Sequence, residues 1–92
     1  MTDICTILCV GTPAELRHTR LLVLQSAGYE AYLVEAAEAT DILRTKTFDV
    51  LLLSATLSEQ ERSVLRQMVS ERTRIVQLEN FTPPDKLLAL LR

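Results

Sequence analysis

Three times in this chain an apolar run gives way to a Thr or Ser that is followed, three residues on, by an acid. The runs are Ile7-Leu8-Cys9-Val10, Val50-Leu51-Leu52-Leu53 and Ile75-Val76-Gln77-Leu78. The segments after them are Thr12-Pro13-Ala14-Glu15, Ser58-Glu59-Gln60-Glu61 and Thr82-Pro83-Pro84-Asp85. Each segment reads as a capping box, in which hydroxyl and acid satisfy N–H groups that a helix start leaves without partners. A strand that turns straight into a helix, repeated, specifies a parallel α/β sheet. Ligand chemistry on such sheets sits at the C-terminal ends of the strands. Those ends here carry Gly11, Thr12, Ser54 and Glu79.

The same logic places the other elements. Strand one covers 4–10, with little alternation, as suits a strand covered on both faces. Thr12 caps helix one and Pro13 takes its first position. The helix runs to Ala27, where Gly28 supplies the left-handed residue that ends it. Leu16, Val23, Leu24 and Ala27 recur at helical spacing and are expected to face the sheet, with Leu21 and Leu22 off that face. Strand two, 29–35, alternates Glu30 and Tyr32 against Ala31 and Leu33, as an edge strand does. A short helix over 37–45 presents Ala39, Ile42 and Leu43. Strand three, 50–54, is the most apolar and central. Helix three runs from 59 to about 71 and buries Val64, Leu65, Met68 and Val69. Strand four covers 74–79. The last helix begins near Pro83 and holds Leu87, Leu88, Leu90 and Leu91.

Ninety-two residues make one domain, 1–92. A chain this short buries only a little over ~60% of its unfolded surface, and a 48% hydrophobic content partly offsets that. A net charge of −2, scattered basic residues and few aromatic ones exclude a nucleic-acid interface. No apolar stretch reaches membrane-spanning length. Cys5 and Cys9, with Cα atoms ~13 Å apart on one strand, are too distant for a disulfide. Their spacing is neither a redox nor a zinc motif. Free thiols without a signal peptide predict a reducing cytoplasm.

From Ile7 to Ser58 the chain resembles the receiver domain of bacterial response regulators. Ile7-Leu8-Cys9-Val10 resembles the family's first strand, and Ser26-Ala27-Gly28-Tyr29-Glu30-Ala31 its turn into strand two. Phe48-Asp49-Val50-Leu51-Leu52-Leu53 resembles its third strand. Phe81-Thr82-Pro83 and Leu87-Leu88-Ala89-Leu90-Leu91-Arg92 resemble its final helix. The departures fall on the chemistry. The family's metal-holding acidic pair is replaced by Gly11 and Thr12, and its phosphoacceptor aspartate by Ser54. One strand ending in Glu79 stands where the family has two, and one helix and one strand near the C terminus have no counterpart.

The resemblance therefore implies a three-layer α/β sandwich with a truncated, four-stranded parallel sheet in order 2-1-3-4. Helix one and the last helix cover one face, and helices two and three the other. It implies a degenerate, non-phosphorylatable receiver-like domain, not an enzyme, acting as a protein-interaction or dimerisation module in signalling. Serine is a poor phosphoryl acceptor without a base, and Glu79 alone is too little to hold magnesium. No cofactor, metal, nucleic acid or membrane is expected. The expected contact surface is the open edge of strand four with the last helix, represented by Val76, Leu78, Leu90 and Leu91. The alternative is a small-molecule or anion binder in the pocket framed by Thr12, Ser54 and Glu79. Against it, the caps occupy the helix-terminal donors that an anion would use. His18 reads as an exposed helix residue, and Gly11 lacks the G-x-G-x-x-G that a dinucleotide site requires.

Overall fold

The computed structural model describes residues 5–78 and 83–91, with the backbone alone of Pro84. Four strands and four helices alternate: β1 (Thr6–Val10), α1 (Ala14–Ser26), β2 (Glu30–Val34), α2 (Ala36–Thr45), β3 (Val50–Leu53), α3 (Glu59–Met68), β4 (Arg74–Gln77) and α4 (Pro84–Leu90). All pairings are parallel and the sheet order is β2-β1-β3-β4, as the sequence predicts.

The alternation of side chains across β1 and β3 splits the core in two. Ile7, Cys9, Val50 and Leu52 point to one face, where Leu24 of α1 and Leu87 of α4 cover them together with Val76 and Leu78. Leu8, Val10, Leu51 and Leu53 point to the other, under Ala39 of α2 and Leu65 of α3. Both faces are apolar because both are covered, which is why these strands read as unbroken apolar runs. The edge strand β2 keeps the expected alternation, with Glu30 and Tyr32 exposed. The Tyr32 ring stands edge-on to Phe48, with centroids 5.7 Å apart.

The helix starts separate a true capping box from a false one. At α3 the box forms: Ser58 Oγ accepts from the Glu61 N–H at 3.1 Å, and a Glu61 carboxylate oxygen accepts from the Ser58 N–H at 3.0 Å. At α1 it does not. The N-cap is Pro13, Ala14 is the first helical residue, and no side chain caps the start. Thr12 is one residue too far back and its hydroxyl is engaged elsewhere. The third box rests on Thr82, outside the described residues; Pro83 is the N-cap of α4 and Pro84 its first residue. Helix α2, by contrast, gains an acid the sequence did not flag, as Glu38 accepts from the Glu35 N–H at 3.4 Å.

Two helical stripes also differ from expectation. On α1, Leu16 and Ala27 are exposed, and the side chain that shares the buried face with Leu24 is Arg20, four residues earlier. On α3, Val64 is exposed and Leu65 alone is fully buried, with Met68 and Val69 half-covered. The short strands leave room under each helix for about one deep anchor, so helix ends lie past the sheet. Gly28 ends α1 with φ +93°, as expected of the left-handed residue after a helix.

The caps give a direct test. Ser58→Ala removes a formed cap and is expected to cost ~1 kcal/mol, lowering the melting midpoint by roughly 4–8 °C in a domain of this size. Calorimetry that finds the parent midpoint unchanged would show that the α3 start is not held by this hydroxyl.

Candidate functional site

The order in which the chain adds strands reverses between β1 and β3, so the crevice beyond their C-terminal ends is where an α/β sheet ordinarily places a ligand. The ladder continues one residue past each strand. The Gly11 N–H donates to the Val34 carbonyl at 2.9 Å, and the Ser54 N–H to the Val10 carbonyl at 3.1 Å. Gly11 then turns with φ +78°. Leu57 lies against it so closely that a Cβ at position 11 would sit 2.7 Å from Leu57 Cδ2. Position 11 thus needs glycine twice over, for the turn and for the room.

Hydroxyls close the rest of this end. Thr56 Oγ1 donates to the Gly11 carbonyl at 2.7 Å and lies 3.2 Å from Ser54 Oγ. Its single proton is committed to the carbonyl, so Ser54 is the donor between the two hydroxyls. The buried Ser54 therefore ties a turn together and has no base beside it. His18, on α1, is exposed as expected. Among the described residues no group of three or more His, Cys, Asp or Glu side chains is placed to share a metal ion. Glu79 lies outside the described residues.

Thr12 is buried, and two arginines of α1 reach back to it, as helical side chains lean toward the N-terminus. Arg17 Nε donates to the Thr12 carbonyl at 3.0 Å and pairs with Glu35. Arg20 Nη1 donates to Thr12 Oγ1 at 3.2 Å. Arg20 is only 8% exposed. It shares its surroundings with Cys9, whose thiol is pushed up to about 12 by burial, partly opposed by the nearby guanidinium. Burial lowers the Arg20 pKa and the Cys9 thiolate would raise it. Sequence reading missed Arg20; the available signal was its helical spacing from Leu24.

The expected contact residues divide. Val76 and Leu78 are buried in the core, and Leu90 and Leu91 are half-buried against it. The surface leucine expected at position 90 is thus a packing residue, whereas Leu22 is exposed. What β4 presents outward is backbone. The Arg74 N–H donates to the Asp49 carbonyl at 2.9 Å and the Leu78 N–H to the Leu53 carbonyl at 2.8 Å. Positions 74, 76 and 78 therefore face β3, and the N–H and C=O groups of Ile75 and Gln77 point away from the sheet. Ile75 is exposed beside them, and the Gln77 amide folds over the strand ends to the Leu53 carbonyl at 3.2 Å.

Two measurements check this geometry. Gly11→Ala should destabilise more than Gly28→Ala in denaturant unfolding. Both positions have positive φ, which costs alanine about 1–2 kcal/mol, but only position 11 adds a clash. Equal losses would refute the Leu57 contact. Cys9 favours its neutral form when folded, so its contribution to stability is intact below the thiol's ordinary 9.0 and is lost as pH rises from there toward about 12. Cys9→Ala should flatten the alkaline decline, and an unchanged pH profile would remove Cys9 as its source.

No protein-family model matches the chain, and no curated protein does. Among solved structures it is similar to a CheY-like response regulator receiver domain protein from Methanospirillum hungatei JF-1. The TM-score is 0.65 and the identity 13%, over 97% of this chain and 91% of that one. At that identity the likeness is one of fold: the chain has the CheY-like α/β fold of response regulator receiver domains, built on a four-stranded parallel sheet.

Proposed function

We propose that this is a receiver-like signalling domain that does not accept phosphate and works as a protein-interaction or dimerisation module. The observation that carries the reading is how the strand ends are filled. Where the resembled family holds acids and a metal, this chain packs Leu57 on Gly11 and ties Ser54 to Thr56. Aspartyl phosphorylation needs an in-line carboxylate and a cation to offset charge on the transferring group. A hydroxyl whose proton is already engaged, beside hydrocarbon, supplies neither. The fold is then kept for its surface and not for chemistry at this end. The surface that suits the role is the outer edge of β4, with the backbone groups of Ile75 and Gln77 that turn away from β3 and the exposed Ile75 side chain. Such an edge invites another strand, and two copies meeting there would do so about a two-fold axis.

One experiment has two arms. Incubation with acetyl phosphate and magnesium should leave the intact mass unchanged; a stable gain of one phosphoryl group would overturn the non-phosphorylatable half. Sedimentation should show a dimer for the parent and a monomer for Ile75→Pro, because proline removes a donor that points away from β3. Val76→Pro is unsuitable, since its N–H faces β3. A parent that stays monomeric at high concentration and binds no protein would overturn the interaction half.

A further inference from the structure

Helix α1 carries an uncharged stripe away from the sheet. Leu16, Thr19, Val23 and Ser26 are spaced three and four apart, so they line up along one side of the helix. Leu16, Thr19 and Ser26 are exposed and Val23 is half-buried. Leu16 is 39% exposed, and Leu22, beside the stripe, 48%. The spacing is that of a coiled-coil seam, which packs against another helix.

At the C-terminal half of α1 the stripe borders a groove. It has a volume of about 370 Å³, lies between α1 and α4, and is lined by Leu22, Val23, Ser26, Ala27 and Leu88. Val23, Ser26 and Ala27 make three corners of the hole that a helix surface offers to an incoming side chain. The fourth corner, residue 30, falls beyond the helix in β2, and Leu88 of α4 supplies the remaining wall. Serine and alanine on two sides keep the groove open. The same helix thus presents an exposed leucine near its start and an apolar hole near its end.

We propose that two copies of this chain pair through α1, antiparallel about a two-fold axis, with Leu16 of each seated in the α1–α4 groove of the other. Leu16 and Ser26 are ten residues apart, about 15 Å along the helix. An axis level with residue 21 sets Leu16 of one copy opposite Ser26 of the other, and Thr19 opposite Val23. Each pair joins a larger side chain to a smaller one, and both grooves are filled. A parallel pairing would set Leu16 against Leu16 and leave the grooves empty. The fit is that of a surface with itself, as an isologous contact requires, which singles out a second copy as the occupant. One helix from each side makes a contact smaller than a standard interface, hence a transient one. It lies on a different face from the β4 edge and does not depend on the interaction reading made there. An Ile75→Pro chain that sediments as a monomer is still expected to pair through α1 at the higher concentrations of NMR.

The test is methyl NMR on the Ile75→Pro chain. A dilution series is read first, and then an isotope-filtered NOE experiment on a mixture of labelled and unlabelled copies. Methyl resonances of Leu16, Leu22, Val23 and Leu88 should move together with concentration, and filtered NOEs should join Leu16 of one copy to Leu88 of the other. Leu16→Asp, an exposed change, should weaken the association about tenfold or more, as expected for a leucine lost from a buried contact. Ser26→Leu, which fills the groove, should weaken it in the same direction. Shifts that do not depend on concentration, movement centred on another surface, or an undiminished response in Leu16→Asp overturns the proposal. Should Ile75→Pro fail to fold, the filtered NOE on the parent decides in the same way, because it names the residues in contact whether or not β4 also pairs.

Discussion

The parallel pairing of β1 with β3 is the contact on which the remaining structure depends. From Ile7↔Val50 to Val10↔Leu53 the two strands place eight apolar side chains in register, half of them on each face. Removing such a side chain from water is worth roughly 1.5–3 kcal/mol, several times a helix cap in sum. The pair therefore holds both core layers at once, and each helix has only to lay one anchor on it: Leu24, Ala39, Leu65 or Leu87. It also brings Gly11 and Ser54 side by side, since both turns start where the shared ladder stops.

The same constraint explains which parts of the chain were legible. A strand buried on two faces has to be apolar throughout, so its runs, their order and the layering of the helices could be read from the residues. Helix faces were harder. With four- and five-residue strands beneath them, α1 and α3 extend beyond the sheet, and Leu16 and Val64 keep the helical spacing without reaching the core. Gly28 was readable because the requirement for positive φ is local, and the Ser58 box because its two bonds lie within one turn.

Thr12 shows the limit of local reading. Thr12-Pro13-Ala14-Glu15 and Ser58-Glu59-Gln60-Glu61 follow one pattern, yet only the second caps a helix. The difference is Arg20, eight residues from Thr12 in sequence, whose guanidinium takes the hydroxyl. Leu57 is similar: nothing in its neighbours announces that it will lie on the Gly11 backbone, because the contact exists only once β1 and β3 have paired. At β4 the strand and its edge position were legible, but the inward direction of Val76 and Leu78 followed only from register.

In the proteins this chain resembles, the positive charge at the strand ends belongs to a metal ion drawn from solution. Here a guanidinium stands beside that place, attached by its own side chain and protonated at any physiological pH. A charge held covalently has no dissociation constant. It is present at full occupancy whatever the ionic composition of the surroundings, and chelation cannot withdraw it.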